Sequence, residues 1–298
     1  MDSLTADEAR RLRRLARDQK RERQRLASWD RAAAMHLARL ESQAPQEAEL
    51  APVITQRHRV GCSGWFYWHW RGIFYPEEIP RTDWFSHYSH NFDTVELNAP
   101  FYSWPTLETV KTWIKQAEHA ENFVYTVKVS ELITHVRKFC DTGELILDFG
   151  FIADLLGPRF GCFLFQLPPS FTFTPERLEA IVGQLDPARR NVVEFRHRSW
   201  WNESVYGAFR NRGIIFCSCS APRLPDELIR TADEIYVRFH GTARWYRHDY
   251  TTEELTTWAE RILNCGAHRS WLYFNNDRDA YAIKNGKQLA QLLGPPEP

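Results

Sequence analysis

The stretch NVVEFRHRSWW at residues 191–201 indicates the fold, because its character changes halfway along. The first half has the apolar and β-branched residues of a buried strand, and the second half is charged and aromatic. Side chains alternate between the faces of a strand, so Glu194 and Arg196 share one face. Charged groups inside a buried strand are costly unless they are paired or used. This stretch therefore predicts a strand whose polar end belongs to a site.

The composition is typical of a packed globular protein. The chain has 298 residues, of which 43% are hydrophobic, and a formal net charge of zero, so no global field marks a nucleic-acid or membrane binder. The six cysteines show neither a metal-binding spacing nor a small-domain disulfide framework. The amino terminus is charged throughout, and no apolar run is long enough to cross a bilayer. We expect a cytoplasmic protein with no membrane partner, and its oligomeric state is unknown.

From residue 60 onward, short β-rich runs alternate with segments of helical pattern. The eight runs are 60–63, 92–102, 123–130, 162–167, 191–197, 214–220, 234–241 and 270–276. The helical segments are 82–90, 107–119, 143–156, 175–185, 203–212, a short one at 225–231, 252–265 and 280–293. This alternation predicts an α/β fold, a (β/α)₈ TIM barrel. An open doubly wound sheet is the alternative, but GCSG at 61–64 lacks the third glycine of a dinucleotide-binding turn.

Residues 1–44 contain no proline or glycine and predict a charged helical extension, with eleven Lys and Arg against seven Asp and Glu. Its second half carries an apolar stripe at helical spacing, which favours a helix docked by one face. The stripe consists of Leu26, Trp29, Ala33, Leu37 and Leu40. Contact with nucleic acid through the arginines is a less favoured alternative. Residues 45–58, with two prolines, are expected to be a linker before a barrel domain at 59–294.

Polar side chains recur at the carboxyl ends of the predicted strands, where TIM barrels build their active sites. A ring of charged groups around one cavity suggests a bound ligand. We expect Glu96, Glu194 and His240 to act as catalytic acid–base groups. The expected substrate-binding residues are Asn98, Lys128, Gln166, Arg196, Arg238, Asn275 and Asn276, with Tyr102 and Trp65 at the mouth.

Three cations in this set, Lys128, Arg196 and Arg238, indicate the charge of the ligand. The planar fork of arginine suits carboxylate or phosphate, and asparagine amides orient hydroxyl groups. We therefore expect a small anionic, hydroxyl-bearing ligand, such as a sugar phosphate or a nucleotide-like compound. The cofactor is unknown. No metal site is predicted, although Glu96, Glu194, His240 and Asp277 are metal-ligand types, because the nearby cations oppose a divalent ion.

The motifs of the barrel region resemble those of the YecE-like family, which is built on a domain of unknown function numbered 72. The matching segments are GCSGWFYWHWRGIFYP (61–76), FDTVELNAPFYSWP (92–105), VKVSELITH (127–135), FLFQLPPSF (163–171), VVEFRHRSWW (192–201), YVRFHG (236–241), DYTTEELTTWAERI (249–262) and YFNNDRDAYAIKN (273–285). Eight motifs occur in the right order over about residues 59–293, and the resemblance implies a (β/α)₈ barrel. Members commonly have an aspartate in the segment matching 218–222, where this chain has Ser218, Cys219 and Ser220. The family has no established activity to transfer.

Three functional interpretations remain open from the sequence. The first is an enzyme of hydrolase or isomerase type that acts on the anionic ligand at the carboxyl face of the barrel. The second is a non-catalytic ligand-binding or adaptor protein that contacts a partner or nucleic acid through the amino-terminal helix. The third is a metal-dependent nuclease or isomerase on the same scaffold. Whether the protein is an enzyme is therefore left uncertain at this point.

Overall fold

The computed structural model describes residues 6–42 and 57–294 of the chain. Within these ranges eight parallel strands form a closed barrel, in which each strand pairs with the next and β8 pairs with β1. The predicted (β/α)₈ barrel with a helical extension is confirmed. The strands are β1 His58–Cys62, β2 Thr94–Leu97, β3 Val124–Lys128, β4 Phe160–Gln166, β5 Asn191–Glu194, β6 Ile215–Ser220, β7 Glu234–Phe239 and β8 Arg269–Phe274.

The helices surround the barrel. Three of them begin where the sequence offers a threonine cap, because the side chains of Thr106, Thr174 and Thr251 accept a hydrogen bond from the first helical turn. No helix in the described part of the chain is long and apolar enough to cross a membrane. The helices are α1 Ala6–Glu41, α2 Trp84–Ser89, α3 Ala99–Tyr102, α4 Leu107–Gln116, α5 Gly143–Leu156, α6 Pro175–Gln184, α7 Glu203–Arg210, α8 Thr252–Asn264 and α9 Tyr281–Leu293, with a π-helix at Leu132–Arg137.

The strands separate two apolar layers, as the two-residue repeat of a strand requires. Outward side chains such as Val193 and Phe195 pack against the surrounding helices. Inward side chains such as Leu164, Val192 and Trp271 fill the barrel itself. Charged inward side chains lie at both ends of this apolar layer: Glu234 and Arg269 pair at the amino-terminal end, and Glu96, Glu194 and Arg238 lie towards the carboxyl end.

Inside the barrel, one tyrosine links three strands through its hydroxyl group. The hydroxyl of Tyr273 on β8 lies 2.7 Å from Thr94 Oγ1 on β2 and 2.8 Å from Thr126 Oγ1 on β3. The first strand approaches β2 closely at Gly61, where a Cβ atom would collide with the backbone carbonyl of Thr94. These contacts fix the shape of the barrel below the polar layer.

One predicted element is absent, and another is shorter than predicted. The predicted helix at 225–231 is an irregular loop, in which Ile229 donates its backbone N–H to the side chain of Ser218 at 2.9 Å. So short a segment gains little as a helix, and the strand side chain satisfies the backbone group instead. The predicted strand at 92–102 ends at Leu97, and α3 follows. Pro100 explains this change, because proline suits the first turn of a helix and cannot donate to a sheet.

The amino-terminal helix α1 docks on the barrel mainly through polar contacts. Glu131, after β3, accepts hydrogen bonds from Arg21 at 2.6 Å and from Arg25 at 3.0 Å. Asp148 on α5 accepts one from Arg39 at 2.9 Å. Burial alone would raise the pKa of Glu131, but the two arginines hold it below its ordinary value. The contacts hold α1 against the segment that follows β3 and against α5.

The docked face of α1 differs from the predicted one. Its buried side chains are Ser28, Ala32 and Met35. Most of the predicted apolar stripe is exposed, including Leu26, Leu37 and Leu40, whereas Trp29 is half-buried. The docked face combines the ion pairs with Ala32 and Met35, which are buried in the apolar core. The predicted linker at 45–58 lies almost entirely outside the described residues, and the predicted domain boundaries stay a prediction.

Candidate functional site at the carboxyl face of the barrel

Arg238, on β7, is the centre of a buried ion-pair network. Its two terminal nitrogens donate to Glu194 Oε2 on β5 and to Glu96 Oε1 on β2, each at 2.5 Å. The hydroxyl of Tyr236 donates to the other oxygen of Glu96 at 2.6 Å. All four side chains are buried, so the guanidinium group offsets part of the carboxylate charge away from water. The network also holds three separate strands in register at their carboxyl ends.

Glu194 binds a second arginine as well. Its Oε1 is in contact with Nε of Arg196, two residues along the chain on the same face. Burial alone would raise the pKa of Glu194, but the charges of Arg196 and Arg238 hold it well below its ordinary value. Glu194 is therefore ionised at neutral pH and fixes the position of both guanidinium groups.

His240 lies beside this network. Its Nε2 is 3.1 Å from an Arg196 nitrogen and 3.3 Å from Glu194 Oε1, and its Nδ1 is 3.3 Å from the amide of Asn275. Burial and the charges of Arg196 and Arg238 lower the pKa of His240 well below its ordinary value. The imidazole is therefore neutral at neutral pH, because burial and the two guanidinium charges disfavour its protonated form.

Lys128 ends β3 and places its ammonium group beside a cavity. The residue is 7% exposed, and Nζ lies 4.2 Å from the centre of the Phe101 ring. Among the described residues, no hydrogen bond or ion pair reaches Nζ. Burial and the charge of Arg238 lower the pKa of Lys128 to about 7. Both the charged and the neutral form are therefore populated at neutral pH, which suits anion binding and proton transfer alike.

His135 lies on the same side of the cavity, and the sequence motifs did not single it out as a site residue. It belongs to the π-helix, and its ring packs edge-on against Phe101 with centroids 4.9 Å apart. Burial and the nearby charge of Lys128 lower the pKa of His135 to about 4. Left-handed backbone follows at Lys138 and Phe139, with φ of 50° and 62°. Such segments occur frequently at functional sites.

These groups meet at a cavity of about 1050 Å³ above the ion-pair network. Its barrel side is lined by Lys128, Arg196 and His135, and its other side by residues of α1. Asp277 is its one carboxylate among the described residues, and burial raises the pKa of that group. The cavity is slightly larger than the roughly 300–1000 Å³ typical of small-molecule sites.

The structure brings together most, but not all, of the predicted site residues. The predicted residues that line the cavity are Asn98, Lys128, Gln166, Arg196, Asn275 and Tyr102. Glu96, Glu194, Arg238 and His240 are fully buried in the network beside it. Asn276 and Trp65 lie outside the cavity lining. Asn276 donates to the backbone carbonyl of His248 at 2.7 Å, and Trp65 packs edge-on against Phe85.

One buried group of side chains has the atoms of a metal site. Glu194, Cys219 and His240 present possible ligand atoms within 4.8 Å of one another. The two oxygens of Glu194 are already in contact with Arg196 and Arg238. Two guanidinium groups at this distance oppose a divalent cation, so the donor set fits an ion-pair network better than a metal centre.

A second large cavity, of about 1010 Å³, lies at the opposite end of the barrel. It is lined by residues at the amino-terminal ends of the strands, including His58 and Asp93. In TIM barrels this face serves stability, and catalysis takes place at the carboxyl face. The cavity above the ion-pair network is therefore the stronger candidate site.

Comparison with known proteins relates the barrel to one family. The family model described as "Protein of unknown function DUF72" matches residues 59–298. The chain belongs to the DUF72 family. The resemblance to YecE-like proteins is confirmed, and the matched region includes the whole barrel and leaves out α1.

Relatives and solved structures in the DUF72 family agree with this assignment. UPF0759 protein YunF of Bacillus subtilis (strain 168) is 26% identical over 277 residues, covering 78% of this chain and 94% of that protein. UPF0759 protein YecE of Escherichia coli (strain K12) is 31% identical over 130 residues, 43% of this chain and 46% of that protein. The crystal structure of a DUF72 family protein from Thermotoga maritima MSB8 has a TM-score of 0.72 and 28% identity, and the match covers 80% of this chain and all of that one. None of these names describes an activity.

Proposed function

We propose that this DUF72 protein is an enzyme, of hydrolase or isomerase type, that acts on a small anionic, hydroxyl-bearing molecule in the cavity at the carboxyl face. The observation that carries the proposal is the buried ammonium group of Lys128, which faces the cavity without a carboxylate partner among the described residues. A buried cation without a counter-ion is costly. An anionic ligand would supply the missing charge, and Arg196 beside it would add directed hydrogen bonds.

The remaining groups fit a division of roles. Asn98 and Asn275 line the same cavity and suit ligand hydroxyl groups. Lys128 and His135, whose pKa values are lowered to about 7 and about 4, are the bases that reach the ligand. The acid–base roles of Glu96, Glu194 and His240 stay predictions. The burial of both glutamates favours a role in positioning the guanidinium groups of Arg238 and Arg196.

Ligand binding is tested by thermal shift with inorganic phosphate and a panel of sugar monophosphates. We expect one or more sugar phosphates to stabilise the protein by about 2.7 kcal/mol at a hundred times the dissociation constant. Lys128→Met should abolish that shift, and Lys111→Met, on an exposed face of α4, should leave it unchanged. An equal shift in the protein with Lys128→Met would contradict the proposal.

Catalysis is tested by Lys128→Arg with the ligand identified in this way. Arginine keeps the positive charge but does not release a proton near neutral pH, so binding should persist while turnover falls by about 10²–10⁴-fold. Unchanged turnover in the Lys128→Arg variant would show that Lys128 takes no part in proton transfer. Binding without turnover in the parent protein would contradict the enzyme assignment.

That last outcome would favour a second candidate, a non-catalytic ligand-binding protein that presents α1 to a partner. The observation in its favour is the exposed, arginine-rich first half of α1, which includes Arg10, Arg13 and Arg14. Exposed basic residues of this kind are suited to an acidic partner surface or to nucleic acid. A partner bound through α1 should then respond to the presence of the cavity ligand.

A further inference from the structure

The cavity has a second charged wall that belongs to α1 rather than to the barrel. Arg17, Lys20, Arg21 and Gln24 line it from above. Their spacing of three and four residues places them on one face of the helix. We call these four residues the α1 wall, and Lys128 with Arg196 the barrel wall.

The α1 wall is held in place by the segment that carries the barrel wall. Glu131 is three residues beyond Lys128 and accepts hydrogen bonds from Arg21 and Arg25, while its own side chain is only 4% exposed. Further along α1, Ser28 accepts a hydrogen bond from the backbone N–H of Trp104 at 3.2 Å. These contacts fix the helix across the mouth of the cavity, so the α1 wall is part of the site.

Two cations of the α1 wall have little to neutralise them. Arg17 lies 3.9 Å from Asp18, but both side chains are exposed, and such pairs contribute little. Lys20 has no hydrogen bond or ion pair with any described residue. Arg21, by contrast, is neutralised by Glu131. The cavity therefore has unpaired positive charge on both walls, at Lys128 below and at Arg17 and Lys20 above.

We infer that the substrate has two anionic groups, one held by the barrel wall and the other by the α1 wall. This inference rests on the proposed function and defines its substrate class. A single phosphate engages one cluster of donors at hydrogen-bond distance, whereas the cations here come from two separate walls, α1 and the strand ends, of a cavity of about 1050 Å³. A bisphosphorylated, hydroxyl-bearing molecule meets both clusters and fills the larger volume.

The inference is tested by calorimetric titration of the full chain with inorganic phosphate, glucose 6-phosphate and glucose 1,6-bisphosphate. We expect the parent protein to bind the bisphosphate at least about tenfold more tightly than the monophosphate. In the double variant Arg17→Ala/Lys20→Ala that advantage should fall below about threefold, and monophosphate affinity should change by less than about twofold.

The matched control is Arg11→Ala/Arg23→Ala, which removes two positive charges from other faces of the same helix. It should keep the full preference for the bisphosphate. If both double variants lost the preference for the bisphosphate to the same extent, α1 would act only through its overall charge. That result would overturn the inference. A parent protein that binds both sugar phosphates equally would overturn it too, while leaving the proposed function intact. If none of the three compounds bound the parent protein, the proposed function itself would fail.

Discussion

At the scale of single residues, the site is governed by two cations in opposite situations. Arg238 is surrounded by carboxylates, and burial, which opposes its charge, is outweighed by Glu194 and Glu96, so its pKa is raised well above its ordinary value. Lys128 is also buried but has no carboxylate contact among the described residues. The first arrangement stabilises the barrel, and the second leaves a charge available to a ligand.

Lys128 should give the stability of the protein a distinct pH dependence. Its pKa is about 7 when folded against a model value of 10.5, so between these values the unfolded chain binds more protons and stability rises with pH. Lys128→Met should therefore be more stable than the parent below pH 7, and the difference should narrow by up to about 1.4 kcal/mol per pH unit above it. Urea denaturation between pH 6.5 and 9.5 measures this. Lys111→Met should show no such trend, and a constant gap for Lys128→Met would contradict the lowered pKa.

Glu194→Gln should be strongly destabilising. It leaves the fully buried Arg238 with a single carboxylate partner, Glu96, and removes the carboxylate that contacts the largely buried Arg196. Breaking a buried ion pair on one side lowers the free energy of unfolding by about 3–5 kcal/mol. The control is Glu203→Gln, which removes an exposed ion pair with Arg210 and should cost at most about 1 kcal/mol. Similar urea midpoints for the two variants would show that the network contributes little to stability.

The residue types of the site were predictable, and their division into two layers was not. Strand alternation predicts that Glu96, Glu194 and Arg238 face inward. Strand alternation does not reveal that these three residues pair with one another, nor that Lys128 and Arg196 line the cavity instead. Both depend on how far along the barrel axis each residue lies once the sheet has closed. His135 was not predicted as a site residue, because a π-helix has no characteristic sequence periodicity.

At the scale of secondary-structure elements, the placement of α1 is the feature that the sequence predicts least well. A helix at this position follows from residue propensities alone. The docked face does not, because the visible apolar stripe is largely exposed and the contacts are made by Arg21, Arg25 and Arg39. A charge pattern on one helix cannot specify which distant carboxylates, here Glu131 and Asp148, will meet it.

Glu131→Gln should loosen α1 without unfolding the barrel. The pKa of this carboxyl is lowered in the folded protein, so its contribution is fully present at neutral pH and is lost as the pH falls through the folded value. Removing the charge at pH 7 should cost about 1–3 kcal/mol of docking energy. Hydrogen exchange should then accelerate about tenfold or more in the first half of α1, with strand amides unchanged. Glu22→Gln, an exposed neighbour of Arg25, is the control, and equal exchange in both variants would contradict the anchoring role.

At the scale of the whole molecule, the barrel was the most predictable feature. Eight β-rich runs alternating with helical segments indicate it, and each run overlaps one strand of the closed sheet. The wrong helix at 225–231 did not disturb the prediction, because closure depends on the strands and their inward side chains. Contacts across the barrel, such as that of Tyr273 with two threonines, arise only when distant strands meet and cannot be read from a local pattern.

Tyr273→Phe tests this closure. The substitution removes one hydroxyl and leaves the buried hydroxyl groups of Thr94 and Thr126 without it, at an expected cost of about 1–3 kcal/mol. Thermal and urea unfolding should both show the loss. The control is Tyr206→Phe, because that half-buried hydroxyl makes no hydrogen bond within the described residues. If Tyr273→Phe lost no more stability than the control, apolar packing alone would close the barrel.

The position of α1 has a practical consequence for laboratory work on this chain. The family match begins at residue 59, so protein expressed from that boundary would retain every strand and yet lack the upper wall of the cavity. A compound screen on such shortened protein would therefore probe a wider cavity without the positive charges of Arg17, Lys20 and Arg21.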